Sequence, residues 1–157
     1  MTLPQFLELM NGDLQNEWTH LQFYLYHASA VTGLHAHDYK EFLTEAAQGE
    51  LQHVQAFLDR LFGLNYSQPC QSAKAFTTSS RVEDIIIGAI KLEEEVVQNY
   101  TQRLQQLDEL AAAHPVQSAY LKVFYEDQLQ DSYEDCEHLR RILKNVTGII
   151  EPRKTGD

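Results

Sequence analysis

The stretch EAAQGELQHVQAFLDRLFGL, residues 45–64, has apolar side chains at helical spacing, with Glu50 and His53 set among them. Val54 and Phe57 lie on one face of the predicted helix, because residues three or four positions apart share a face. Glu50 falls on that same face, and His53 follows it by one turn. Burying a charged group without a partner is costly, so a helix face that only packs in a core is not expected to contain this pair. We therefore expect this face to contribute to a site as well as to a core.

Helical spacing recurs in three further segments, and no stretch alternates convincingly between apolar and polar residues. The pattern predicts an all-α protein. Ser80 and Glu83 have the spacing of a capping box at the start of the third helix, and Gly148 is expected to end the fourth. The four predicted helices run from about Pro4 to Gly33, from His37 to Gly63, from Arg81 to the break at His114 and Pro115, and from there to about Val146.

Connection lengths predict how these helices are arranged. The short links near Gly33 and His114 require antiparallel hairpins, whereas about 17 residues join the second helix to the third. A connection of that length can reach roughly 55 Å when extended, enough to return along the whole bundle. We expect one domain over residues 1–157, a four-helix bundle made of two antiparallel hairpins joined by a long crossover.

Composition and charge exclude several classes of function. The 157 residues include 23 acidic and 12 basic ones, a formal net charge of −11, which disfavours binding to nucleic acid or to an anionic membrane. We see neither a membrane-spanning stretch nor the pattern of a secretory signal. Cys70 and Cys136 lack the spacing of a disulfide framework or of a CxxC site. The expected location is the cytoplasm.

Every predicted helix has ionisable residues on its inner face: Glu17, Glu50 with His53, Glu93, and Asp135 with His138. Depth along the bundle tests whether they are neighbours. Glu17 and Glu50 lie about 16 and 17 residues from the turn at Gly33. Glu93 and Asp135 each lie about 21 residues from the turn at His114. The carboxylates are therefore expected to face each other at matching heights.

This set of side chains predicts a pair of metal ions. Glu50 with His53, and Asp135 with His138, can each aim an oxygen and a nitrogen at one centre. Four carboxylates inside a bundle need protons or cations to neutralise them, and two divalent ions match the charge and the ligand count. Oxygen and imidazole ligands without thiolates favour two iron ions, with manganese or zinc as alternatives. Glu126 would lie roughly 13 Å from the level of Glu93, so we exclude it.

Other candidate side chains lie near these ligands. Tyr24 follows Glu17 by seven residues, and Tyr100 follows Glu93 by the same interval, so both are expected to point towards the site. They are interpreted either as buried phenols bonded to carboxylates or as redox-active residues, and Tyr24 is the candidate catalytic residue. His20 and His27 are expected to be ordinary surface or boundary histidines.

Four stretches resemble the helices of the ferritin-like superfamily of di-iron carboxylate proteins, closest to its bacterioferritin branch. The resemblance implies that Glu17 and Glu93 are terminal ligands, that Glu50 and Asp135 bridge or nearly bridge the metals, and that His53 and His138 each hold one iron. The four stretches are MNGDLQNEWTHLQFYLYHA, EAAQGELQHVQAFLDRLFGL, GAIKLEEEVVQNY and YEDCEHLRRIL.

Three departures from the family pattern limit what the resemblance implies. Asp135 stands where the family usually has glutamate, which leaves Glu134 open as the carboxylate ligand of the fourth helix. Leu51 occupies the place of the haem-ligating methionine of bacterioferritins, so haem is not expected. The final stretch TGIIEPRKTGD, residues 147–157, is short and contains a proline where shell-forming ferritins have a fifth helix. We therefore expect a homodimer and not a closed cage.

The resemblance implies an activity as well as a fold. Family members bind Fe(II) and oxidise it with O2 or peroxide, in iron storage or detoxification. A ferroxidase-type oxidoreductase is therefore the leading hypothesis, although the sequence leaves open whether the protein is an enzyme. The alternatives are a di-iron oxidase, oxygenase or peroxidase acting on another substrate, and a non-enzymatic metal-binding helical module.

Overall fold

The computed structural model describes the backbone of residues 1–150 and the side chains of residues 1–146. The predicted all-α fold is confirmed, and the described residues contain no strand. The four helices are α1 (Leu3–Ala30), α2 (Ala36–Gly63), α3 (Val82–Leu110) and α4 (Pro115–Ile150).

The helix ends follow local backbone chemistry, and two sequence-based expectations about them were wrong. Ser80 does not cap α3, because Arg81 takes the N-cap position without a side-chain hydrogen bond and its N–H donates to Ser79. Gly148 does not end α4, which continues to Ile150. Gly33 lies in the turn after α1, where its φ of 112° falls in the region that favours glycine.

Two antiparallel hairpins, α1–α2 and α3–α4, make up the bundle, as predicted. α1 also packs against α3. The crossover, residues 64–81, is attached along the length of α1. Trp18 Nε1 donates to the Cys70 carbonyl at 2.8 Å, and the Lys74 N–H donates to the Thr19 hydroxyl at 3.0 Å. These bonds fix the long connection to the outside of the first hairpin.

Two apolar clusters fill the interior, one towards each end of the bundle. On α1 the first cluster stops at Leu14 and the second starts at Phe23; on α4 the gap lies between Tyr125 and Leu139. The layer between the clusters contains buried polar and charged side chains from all four helices. They include Glu17, His20, Glu50, Glu93, Gln128 and Ser132.

None of the described helices combines the length and the apolar character that crossing a membrane requires.

Candidate metal site

The layer between the apolar clusters contains charged groups that are almost completely shielded from solvent. Glu17 is 0% exposed, Glu93 1%, His20 2% and Glu50 3%. They come from α1, α2 and α3, with His53 of α2 beside them. Since isolated buried charges are strongly disfavoured, these groups have to neutralise one another or bind cations.

The first group of ligand atoms consists of Glu17, Glu50 and His53. Nδ1 of His53 lies 3.1 Å from Oε2 of Glu50 and 3.4 Å from Oε2 of Glu17. The other ring nitrogen, Nε2, lies 3.4 Å from Oδ2 of Asp131 on α4. A carboxylate at the far side of the ring orients a metal-binding imidazole, because it keeps the proton on that nitrogen and leaves the first one free. These three residues can therefore hold one ion.

The second group consists of His20, Glu50 and Glu93. Nδ1 of His20 lies 3.4 Å from Oε1 of Glu93 and 3.9 Å from Oε1 of Glu50. Within each group the ligand atoms all lie within 4.8 Å of one another. Glu50 belongs to both groups, with Oε2 facing His53 and Oε1 facing His20. Its carboxylate thus lies between the two groups of candidate ligand atoms.

Two tyrosines connect the hairpins across this layer. The Tyr24 hydroxyl of α1 donates to Oε1 of Glu93 on α3 at 3.0 Å, and the Tyr100 hydroxyl of α3 donates to Oε1 of Glu17 on α1. The two contacts are reciprocal, since each tyrosine donates to the glutamate of the other hairpin. Burial, together with the charge of Glu93, raises the pKa of Tyr24 well above its usual value. The phenol therefore keeps its proton and remains a donor.

The titration of the site follows from burial and from close opposite charges. Burial and the neighbouring Glu50 raise the pKa of Glu17. Burial alone would lower the pKa of His53, but its hydrogen bonds to Glu17 and Glu50 outweigh that effect and raise it to about 12. Burial also opposes the charged form of His20, yet the charges of Glu93 and Glu50 raise its pKa well above the usual value. Within the protein, imidazole protons thus partly neutralise the carboxylates.

Metal ions fit this donor set better than protons do. Oε2 of Glu93 is buried and has no hydrogen-bond partner among the described residues. A buried carboxylate oxygen without a partner is costly, and a cation would satisfy it. The donors are carboxylate oxygens and imidazole nitrogens, the set typical of iron, manganese and zinc sites. No thiolate joins either group, since neither contains a cysteine.

The predicted ligands of α4 lie farther out than those of the other helices. Asp135 and His138 are exposed and line the cavity beside Glu50, but neither belongs to the two groups of close ligand atoms. Partial desolvation, followed by the charges of Glu93 and Glu50, raises the pKa of Asp135 to about 7. The His138 ring packs on Phe42 with centroids 5.6 Å apart.

Two further acidic residues of α4 were weighed from sequence. Glu134 also lines the cavity beside Glu50, and it accepts a hydrogen bond of 3.2 Å from Gln130. Glu126, which the depth argument excluded, is exposed and lines neither of the two cavities.

His20 is the site residue that the sequence analysis missed. The expectation that His20 and His27 are ordinary surface or boundary histidines was wrong, because both are buried. His20 follows Glu17 by three residues, the same acid-x-x-His spacing that identified His53, so the signal was present on α1. His27 has a structural role, since Nε2 accepts from the Ser79 N–H at 3.3 Å and Nδ1 lies 2.8 Å from the Phe23 carbonyl.

The site lies between two cavities. One, of about 380 Å³, lies between α2 and α4 and is lined by Glu50, His53 and Tyr24 and by the acidic residues Asp131 and Glu134. The other, of about 570 Å³, lies between α1, α3 and the crossover and reaches His20. The buried layer therefore borders a cavity on each of two sides.

Comparison with known proteins agrees with this fold. The sequence profile of the Ferritin family, described as a ferritin-like domain, matches residues 7–149. This chain belongs to the ferritin-like family. A search of curated proteins found no match.

Solved structures of ferritin-like proteins have the same fold. A ferritin-like, diiron-carboxylate protein from Bacillus anthracis strain Ames has a TM-score of 0.79 and 24% identity, over 89% of this chain and 96% of its own. Bacterioferritin BfrA of Mycobacterium tuberculosis has a TM-score of 0.75 and 19% identity, over 92% of this chain and 87% of its own. At these identities the likeness shows the fold, and the site has to be judged from the residues of this ferritin-like chain.

Proposed function

We propose that this ferritin-like protein binds two Fe(II) ions per chain and oxidises them with O2 or peroxide. The single observation that supports this proposal is the pair of buried ligand groups that share the Glu50 carboxylate. Two Fe(II) ions supply two electrons, which with two protons convert O2 to hydrogen peroxide or hydrogen peroxide to two water molecules. Iron is thus the substrate, and the protein provides its binding site.

The carboxylates favour electron loss from the bound iron. Glu17 contributes a carboxylate to one group of ligand atoms and Glu93 contributes one to the other. Glu50 belongs to both groups. Negative charge stabilises the ferric product more than the ferrous substrate, because the ionic interaction grows with the charge of the metal. Burial strengthens this preference, since less water screens the charges. From sequence, Asp135 and His138 stay the ligands expected on α4, with Glu134 as the alternative to Asp135, although none of the three belongs to the two buried groups of ligand atoms.

The test is oxygen consumption by protein loaded anaerobically with two Fe(II) per chain. We expect rapid ferric absorbance, with one O2 consumed for every two irons when hydrogen peroxide is the product. Zn(II) added beforehand should block the reaction by occupying the same ligands. Oxidation no faster than that of Fe(II) in buffer would contradict the proposal.

Tyr24 is proposed as the catalytic residue because its hydroxyl donates to Glu93 inside the site. We expect Tyr24→Phe to slow Fe(II) oxidation by roughly 10-fold while two Fe(II) still bind, as for other partners of metal ligands. Stopped-flow ferric absorbance measures the rate. Tyr100→Phe is the matched variant in the other hairpin, because Tyr100 donates to Glu17 in the same way. Unchanged oxidation in Tyr24→Phe would leave Tyr24 as a structural hydrogen-bond donor.

The acidic cavity between α2 and α4 is proposed as the route by which Fe(II) reaches the site. A cleft of one sign of charge attracts ions of the other sign, and the attraction weakens with salt. We expect Glu134→Lys to slow Fe(II) uptake by roughly 10-fold at low salt, and less in high salt. Glu126→Lys makes the same charge change outside both cavities and should have a smaller effect. Loss of one bound iron in Glu134→Gln would instead identify Glu134 as a ligand.

The cavity beside His20 favours a second candidate function, an oxidase or oxygenase acting on an organic substrate. Phe23, Phe76 and Ile85 contribute apolar surface to it, and it is large enough for a small molecule. Substrate-dependent O2 uptake at constant iron, with an oxidised organic product, would support this alternative.

Several expectations from sequence stay predictions. We propose a homodimer in the cytoplasm without bound haem. Leu25 of α1 and Leu51 of α2 are exposed apolar residues that association could cover. Sedimentation analysis gives the mass in solution, and a 24-subunit particle would contradict the dimer.

A further inference from the structure

We propose that His20 of α1 is the nitrogen ligand of the second metal, in the place that the sequence analysis assigns to His138 of α4. This inference rests on the proposed two-metal function. It gives α1 a ligand for each metal, Glu17 for the first and His20 for the second. The structure would then bind a metal pair through α1, α2 and α3, with α4 at the edge of the site.

The distances around His20 are those expected between ligands of one ion. Two donor atoms that each lie about 2.1 Å from a metal are about 3.0–3.9 Å apart for angles between 90° and 135°. Nδ1 of His20 lies 3.4 Å from Glu93 and 3.9 Å from Glu50. The corresponding distances around His53 are 3.1 Å and 3.4 Å. Both imidazoles therefore have the geometry of ligands relative to the same bridging carboxylate.

His20 and His138 differ in how deeply they are buried. The His20 ring is 2% exposed and lies in the layer between the apolar clusters, next to the buried and unpartnered Oε2 of Glu93. His138 is exposed, packs on Phe42 and lies outside both groups of close ligand atoms. An ion placed by Glu50 and Glu93 already has an imidazole beside it, without movement of α4.

The test measures binding of Co(II), a spectroscopic probe that accepts oxygen and imidazole ligands. Wild-type protein should bind two Co(II) per chain tightly. His20→Ala should keep one tight site and weaken the second by at least about 10-fold. His138→Ala should keep both sites. His27→Ala is the matched control on α1, because it removes a buried histidine from the same helix face outside the metal layer.

Chemical rescue and diffraction test the assignment of His20 even if a substitution lowers the stability of the protein. The cavity of about 570 Å³ reaches His20, so added imidazole has space to enter His20→Ala and should restore the second Co(II) absorption band. A crystal of the wild-type protein soaked with Fe(II) should show one anomalous peak within bonding distance of His20 Nδ1. That second measurement decides the assignment even if the variants fail to fold.

Two outcomes would overturn the inference, and they differ from failure of the proposed function. If wild-type protein binds two ions, but His20→Ala binds both unchanged and His138→Ala loses one, then His138 is the ligand and only the inference fails. If wild-type protein binds no pair of ions, both proposals fail. Two bound ions without Fe(II) oxidation would contradict the ferroxidase function and leave the His20 assignment standing.

Discussion

Glu50→Gln abolishes tight binding of both metal ions, because one carboxylate serves both groups of ligand atoms. Oε2 of Glu50 faces His53 and Oε1 faces His20. Glutamine keeps the size of the side chain but loses its charge, and its NH2 group offers no lone pair to a metal. We expect at least about 100-fold weaker binding at each position and a comparable loss of Fe(II) oxidation. Anaerobic Fe(II) titration followed by exposure to O2 measures both quantities.

Controls distinguish a shared ligand from a general effect of charge. Glu126→Gln also removes one acidic charge from the chain, but Glu126 is exposed and lines neither of the two cavities, so binding should stay unchanged. Glu17→Gln should weaken the position beside His53 more than the one beside His20. If Glu50→Gln lost a single ion and bound the other normally, Glu50 would not be the bridge.

Arg103→Met lowers the free energy of unfolding by about 3–5 kcal/mol, because it leaves the charge of Asp13 buried and unpaired. Nε and Nη2 of Arg103 donate to the two oxygens of Asp13 at 2.9 Å and 3.1 Å. The Tyr125 hydroxyl also donates to Asp13, at 2.7 Å. These contacts join α1, α3 and α4 inside the first apolar cluster. Urea denaturation measures the loss, and circular dichroism confirms that the variant is helical.

The effect of Arg103→Met should depend on pH. Burial outweighs Arg103 and raises the pKa of Asp13 from 3.8 to about 6. A raised carboxyl pKa means that the folded state binds its proton more tightly than the unfolded state does, so ionisation costs stability as pH rises. Without Arg103 the pKa of Asp13 rises further, and the deficit of the variant should grow as pH increases above about 6. A deficit that shrinks over that interval would contradict this account of Asp13.

A matched surface pair provides the control for this stability prediction. Arg140 lies 2.8 Å from Glu94, with both side chains about half exposed. Exposed ion pairs contribute little because water and salt screen them. Arg140→Met should therefore change the urea midpoint much less than Arg103→Met does. Equal losses in the two variants would show that the buried network has no special role.

The bundle could be predicted from sequence because its determinants are local. Apolar spacing gave the four helices, and the short links at Gly33 and His114 fixed both hairpins. Helix ends depend on single hydrogen bonds, and for this reason the capping box predicted at Ser80 was wrong. The predicted start of α3 at Arg81 was nevertheless close to the observed start at Val82.

Depth counting predicts the height of side chains on α1, α2 and α3 more directly than on α4. It brought Glu17, Glu50 and Glu93 into one layer, since their positions follow from the rise of the helices. On α4 the residue that approaches His53 is Asp131, one turn before Asp135. Counting from a turn does not determine how far one helix is shifted along its partner, and an offset of one turn is about 5.4 Å. His20 was missed because its burial depends on how α1 faces α3, which spacing on one helix does not specify.

The most direct test of the central claim is a titration of the wild-type protein, purified without added metal, with Fe(II) under anaerobic conditions. Two buried groups of ligands that share Glu50 predict two Fe(II) bound per chain. A stoichiometry of one or none would contradict the paired site.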